Sequence, residues 1–247
     1  MSIRSLSVVV PVYNGAAPIA ATVDAIIRYW KPRRSVEVIV VDDGSGDQTA
    51  AIAAKHAAVH PELRLIRLPS NRGKGAAVRE GVLAAAGEII CFCDADLPIP
   101  VGEMGKLITM LEDGYDVAIA SRALPESELP VPPSFLRRTT SRSFNVIVRR
   151  LLGLPFRDTQ CGLKGFRREA ARAIFSRATI DGFAFDVEML IVAQRSGFRI
   201  GEVPVRDGVG RIGWHLPRIA DVSDEPRSVH PRRHEPCPRA VLPGIAM

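Results

Sequence analysis

The sequence has 247 residues, 47% of them hydrophobic, enough for one large α/β domain or two small ones with a buried core; a single domain is expected. Four cysteines are too few to staple a chain of this size, and Cys91 and Cys93 match no zinc spacing, which excludes a disulfide-built module and points to a reduced, cytoplasmic setting. The formal net charge of +6 suits an anionic partner, whereas an aromatic content of 6% without a recognisable binding module argues against nucleic acid.

Residues 1–11 lack the basic flank and cleavage site of a signal peptide, and their apolar stretch is strand-sized. No run approaches the roughly eighteen apolar residues that span a bilayer, so any membrane attachment is expected to be peripheral or through a partner; the expected place is cytoplasmic, on the inner face of a membrane.

Short β-branched runs at 6–12 and 36–41 predict buried strands, with a helix over 18–30 between them. A helix from about 47 to 59, a strand at 63–68, a helix over 73–86 and a strand at 88–93 continue the alternation, which predicts a parallel sheet. Helix 101–112 and strand 115–120 follow, and then 124–134 is Pro-rich and reads as a loop.

Over 135–152, Arg137, Arg138, Arg142, Arg149 and Arg150 accompany Phe144, Ile147, Val148, Leu151 and Leu152 in a basic amphipathic helix. Such a helix suits an anionic bilayer or, equally, the solvated face of a core helix. Helices over 167–176 and 185–195 and a strand at 198–203 complete the domain. Beyond 207, prolines, arginines and His215, His230 and His234 crowd into a segment without hydrophobic periodicity, read as a disordered tail with no metal role.

Ligands of an open parallel sheet collect at the carboxyl ends of its strands. Those ends carry Pro11, Tyr13 and Asn14, then Asp42, Asp43, Gly44, Ser45, Gly46 and Asp47, then Asp94 and Asp96. Each segment alone is also ordinary turn or cap chemistry, with Asp47 a natural N-cap. In a locally extended chain Asp94 and Asp96 share a face and reach one cation, and their hard oxygens suit Mg or Mn. Asn71, Arg72, Gly73, Lys74 and Gly75 open a helix whose N-terminus can receive a phosphate, with Lys74 beside it; the alternative is a plain glycine-rich helix entry.

Together these segments resemble the nucleotide-binding half of a GT-A glycosyltransferase, specifically the inverting family that includes dolichyl-phosphate glucosyl- and mannosyltransferases. The resemblance runs through 8–14, 38–49, 71–81, 89–97, 118–122, 144–145, 158–166 and 185–190. DTQCGLKGF at 158–166 and FDVEML at 185–190 look more like the glucosyl branch. It implies a GT-A fold over 1–206, an α/β Rossmann-like, mostly parallel sheet flanked by helices, with 1–122 as nucleotide-binding half and 123–206 as acceptor-side half. It implies transfer of a hexose, glucose from UDP-glucose, to a polyprenyl phosphate at a membrane surface with Mg or Mn. The alternatives are a GDP-mannose-dependent mannosyltransferase and a non-catalytic nucleotide- or membrane-binding relative.

Residue by residue, the resemblance places Pro11, Tyr13, Asn14, Asp42 and Asp43 around base and ribose, Lys74 near the nucleotide, and Asp94 and Asp96 at the metal. Asp158, Gln160, Asp186 and Glu188 shape the sugar and acceptor side, while Arg122 and Arg138 grip the acceptor phosphate with their planar donor forks. Two departures stand out: Gly15 replaces an acidic residue common after the Asn, and the tail replaces the basic stretch and amphipathic helices that usually follow Val205.

Overall fold

The structure, a computed structural model, describes residues 5–128 and 152–208. Arg138, almost all of the expected basic helix and the tail beyond residue 208 lie outside the described residues. Among those described, no helix is long and apolar enough to cross a membrane.

The valine-rich first run becomes the centre of the sheet. In β1 (Ser5–Val12) every residue after Ser5 is buried, because strands covered on both faces must be apolar on both. Strand β1 pairs in parallel with β2 (Ser35–Asp42) and with β4 (Ile89–Phe92), and β2 pairs in parallel with β3 (Leu63–Arg67). Pro11 is tolerated in this central strand because it lies beyond the last β1–β4 pair, Val9 with Phe92, where the ladder on that side has ended.

Successive side chains feed two cores. Val8, Val10, Val38 and Val40 meet α1 (Ile19–Trp30), α2 (Thr49–Ala57) and α4 (Met104–Glu112), the last entered through a 3-10 turn at Val101–Glu103. Val9, Ile39, Val41 and Phe92 meet α3 (Lys74–Ala84), α5 (Arg168–Phe175) and α6 (Phe185–Arg195). Each fully buried Val or Ile contributes about 1.5–3 kcal/mol. Helix α3 lies so close to the sheet that a β-carbon at Gly81 would stand 2.4 Å from Val9 Cγ1.

The seven strands run in the order β3-β2-β1-β4-β6-β5-β7, with β5 (Val117–Ser121), β6 (Lys164–Arg167) and β7 (Ile200–Pro204). Strand β6 was not expected. It is four residues long, begins with a lysine, contains a glycine and so carries no strand periodicity, yet it inserts antiparallel between β4 and β5. The sheet is therefore mostly rather than wholly parallel.

A second correction concerns the start of α2. Asp47 does not cap it in the expected position: its Oδ1 accepts from the Thr49 amide at 2.9 Å and from the Thr49 hydroxyl, closing a turn before a helix that begins at Thr49.

Candidate active site

The carboxyl ends of β1, β2 and β4 lie along one edge, and the chain leaves β1 towards β2 on one side while β4 adds on the other. This is a topological switch point, where an open sheet leaves a crevice. Two loops interlock there. The Asn14 amide donates to Ser45 Oγ at 2.9 Å, the Gly46 amide to Asn14 Oδ1 at 3.0 Å, and the Gly15 amide to Thr49 Oγ1 at 2.9 Å. Asn14 takes a positive φ of 50° to make the exchange, and Tyr13 projects half-exposed beside it.

Asp42 and Asp43 have different duties. Asp43 is buried, and its two oxygens accept the amides of Arg72 and Gly73, both at 2.8 Å, which ties β2 to the entry of α3. Asp42 is fully buried; Oδ1 accepts the Ser45 amide at 3.1 Å. Among the described residues its Oδ2 accepts no hydrogen bond, although the Arg67 Nε stands 3.4 Å away as an ion-pair partner.

The start of α3 does not offer the open anion site expected. The Gly75 and Ala76 amides donate to the Asp181 carbonyl at 2.7 and 3.2 Å, so the loop before α6 already satisfies two of the helix's first donors. Lys74 turns instead to Asp94, with Nζ 2.5 Å from Oδ1. Burial works against the Lys74 charge, but Asp94, with Asp186 behind it, more than offsets this and raises its pKa above the ordinary lysine value.

Asp94 and Asp96 do not share an extended face. The Leu97 amide donates to the Asp94 carbonyl at 3.1 Å, closing a turn over Ala95 and Asp96, and Leu97 adopts a positive φ of 42°. The turn is fastened to α1 by the Thr22 hydroxyl, which donates to the Ala95 carbonyl at 2.6 Å. Gly162 presses its backbone on Asp94, since a β-carbon there would meet Oδ2 at 1.9 Å. Asp96 is exposed, and neither its carboxylate nor Asp94 Oδ2 has a hydrogen-bond or ion-pair partner among the described residues. These hard oxygens at a strand end fit a Mg or Mn ion by donor chemistry.

On the far side, Arg122 and Asp158 hold each other. Arg122 Nε and Nη2 donate to Asp158 Oδ2 and Oδ1 at 2.8 and 3.2 Å, and the Arg122 amide adds a third bond to Oδ2 at 3.1 Å. Burial would raise the Asp158 pKa, but Arg122 outweighs it and the carboxyl sits below its usual range. Asp186 is buried beside Lys164, whose Nζ lies 2.5 Å from Oδ1 and also donates to the Cys161 carbonyl. Burial pushes the Asp186 carboxyl up despite that ammonium. Gln160 places its buried Nε2 with no acceptor among the described residues.

Glu188, expected on the sugar and acceptor side, spends its carboxylate on a loop. Its oxygens accept the Thr179 amide at 3.0 Å, the Thr179 hydroxyl at 2.8 Å and the Ile180 amide at 2.8 Å, fixing the loop that caps α3. Burial opposes its charge, but these donors hold its pKa below the ordinary glutamate value.

The signature described as Glycosyl transferase family 2 matches residues 7–175. The chain belongs to that family. Among family 2 relatives, a dolichyl-phosphate beta-glucosyltransferase of Trichomonas vaginalis is 36% identical over 208 residues, covering 80% of this chain and 62% of its own length. One of Homo sapiens is 38% identical over 216 residues, covering 82% of this chain and 67% of its own length. The chain thus spans about two thirds of the length of these relatives.

The fold is similar to that of glucosyl-3-phosphoglycerate synthase from Mycobacterium tuberculosis, solved with Mn2+, UDP and phosphoglyceric acid. The TM-score is 0.63 at 23% identity, covering 82% of this chain and 69% of that one. The expected GT-A architecture, a mostly parallel sheet between helical layers, is therefore the observed one.

Sequence reasoning missed Lys164 and Gly162 within the matched span, and Asp181 and Glu202 beyond it. Glu202, on β7, accepts the Arg157 and Asp158 amides at 2.8 and 3.1 Å and so positions Asp158; burial raises its pKa. A lysine inside an apolar context at 161–166 was the one available signal for Lys164, since such a charge requires a partner.

Proposed function

We propose that this chain transfers glucose from UDP-glucose, with inversion, to a polyprenyl phosphate of the dolichyl type at a membrane surface. The names of its relatives support the sugar and the lipid. The observation that carries the acceptor chemistry is the state of the carboxylates on the acceptor side. Asp158 is taken by Arg122, Asp186 by Lys164 and Glu188 by the loop amides, which leaves none of the three poised to deprotonate a hydroxyl. An acceptor that arrives ionised needs no such base, and a lipid phosphomonoester with a second pKa of about 6 is largely dianionic near neutrality.

Arg122, held at a fixed angle by Asp158, would receive that phosphate through its remaining donors, with Arg138 as a second grip. Asp42 Oδ2, buried and accepting no hydrogen bond among the described residues, suits an N–H of the base, and Tyr13 and Asn14 border the same crevice beside Pro11. Asp43 acts one step back, by setting the entry of α3. Gln160 Nε2 is a donor awaiting a sugar oxygen. A Mg or Mn ion held by Asp94 and Asp96 would neutralise charge growing on the departing diphosphate. Lys74, beside Asp94, adds positive charge at the same place.

The test is transfer of radiolabel from UDP-glucose and, separately, GDP-mannose to a polyprenyl phosphate in detergent, with and without Mg or Mn. Metal-dependent label from UDP-glucose, abolished by Asp96→Ala, is expected. Label from GDP-mannose alone would replace the sugar assignment, and UDP binding without any transfer would favour the non-catalytic relative.

A further inference from the structure

We propose that Asp24, His56 and His60 form a site for one divalent transition-metal ion, zinc by preference, on the outer face of α1 and α2. Asp24 lies within α1, His56 in the last turn of α2 and His60 just beyond it. The His60 amide donates to the His56 carbonyl at 3.0 Å, so one further helical turn brings the two histidines side by side at the i, i+4 spacing that helix-borne zinc pairs use. Their rings stack with centroids 5.9 Å apart and planes 16° apart, which turns a nitrogen of each to the same side.

The two distances from Asp24 to the histidines fit coordination better than hydrogen bonding. Asp24 Oδ1 stands 3.5 Å from His56 Nδ1 and 3.4 Å from His60 Nε2, and all three ligand atoms lie within 4.8 Å of one another. Ligand atoms about 2.0–2.1 Å from a tetrahedral zinc ion stand about 3.4 Å apart, whereas N–H···O bonds centre near about 2.9 Å. His56 Nδ1 is buried without a hydrogen-bond partner among the described residues, which leaves it to an incoming ion. Imidazole and carboxylate together select zinc and its neighbours over Mg or Ca, and three protein ligands leave a position for water.

The site is distinct from Asp94 and Asp96: α2 starts at the interlocked loops and runs away from them, which puts His56 and His60 towards the opposite edge of the sheet. An ion there would clamp α1 to α2.

The experiment is zinc binding by competition with a chromophoric chelator, on the full chain carrying Asp94→Asn and Asp96→Asn so that the other acidic pair is removed. One equivalent is expected at this site, weakened at least about tenfold by His56→Gln or His60→Ala, the lower bound for losing even an outer partner of a metal site. Zinc should also raise the melting temperature of the parent and not of these variants. Because both histidines are partly exposed, the variants should keep the parent's circular dichroism spectrum. Absence of zinc binding, or stoichiometry and affinity unchanged in the His56→Ala/His60→Ala double variant, would overturn the site.

Discussion

The Lys74 ammonium lies 2.5 Å from Asp94 Oδ1, so the first residue of α3 supplies a counter-charge to the carboxylate at the end of β4. A cation held by Asp94, as proposed, would compete with this ammonium for one oxygen. Lys74→Met should therefore tighten Mn binding to the nucleotide-free protein by about fivefold, the scale of about 1 kcal/mol for a partly exposed pair, while weakening UDP. Calorimetric titration checks both. The raised Lys74 pKa gives a contribution to stability fully present below the unfolded value near about 10.4 and lost as pH rises through the higher folded value. The stability gap between parent and Lys74→Met should hold at neutral pH and close only in strong alkali.

Gly162→Ala should cost turnover far more than fold. Its β-carbon would meet Asp94 Oδ2 at 1.9 Å, forcing the carboxylate aside. The expected outcome is a loss of metal-dependent transfer of about a hundredfold, the scale reported for misplacing a reacting group by an ångström, with a far smaller effect on the melting temperature.

Asp158→Asn should release Arg122. Loss of a charged partner costs about 1.5–3 kcal/mol, discounted here because Arg122 is partly exposed. With its folded pKa depressed, Asp158 stabilises fully above the unfolded value of about 3.9, and the contribution disappears as pH falls through the lower folded value. The acid unfolding midpoint of Asp158→Asn should consequently lie at higher pH, and the KM for the lipid phosphate should rise more than that for the donor.

Glu188→Ala should loosen one loop without unfolding the chain. Hydrogen exchange at the Thr179 and Ile180 amides should quicken, with a stability loss of about 0.5–1.5 kcal/mol per lost bond. Unchanged exchange at those amides would remove Glu188 as the loop's anchor.

The apolar runs of β1 and β2 and the helices packed on them were legible because burial on two faces leaves a continuous β-branched signal. The acidic strand ends were legible for the same topological reason. What stayed hidden was tertiary: β6 is too short to show a period, and its lysine makes sense only beside Asp186, 22 positions later. The turn at Asp94 to Leu97 depends on Thr22 and Gly162, neither close to it in the chain. Likewise the α3 entry reads as an open phosphate cradle until Asp181, over a hundred positions away, is seen to occupy it.

Strand β6 sets an order of events for the ribosome. Among the described residues β6 alone pairs with both β4 and β5, so a nascent chain that has emerged only as far as β5 has those two strands held by the packing of α4 without a ladder between them, and β4 would offer a bare edge to any neighbour. The continuous ladder across the sheet therefore needs residues 164–167, which pair antiparallel with strands that precede them in the chain by more than forty residues. A chimaera that exchanges nucleotide specificity with a relative should accordingly carry β4, β5 and β6 from one parent.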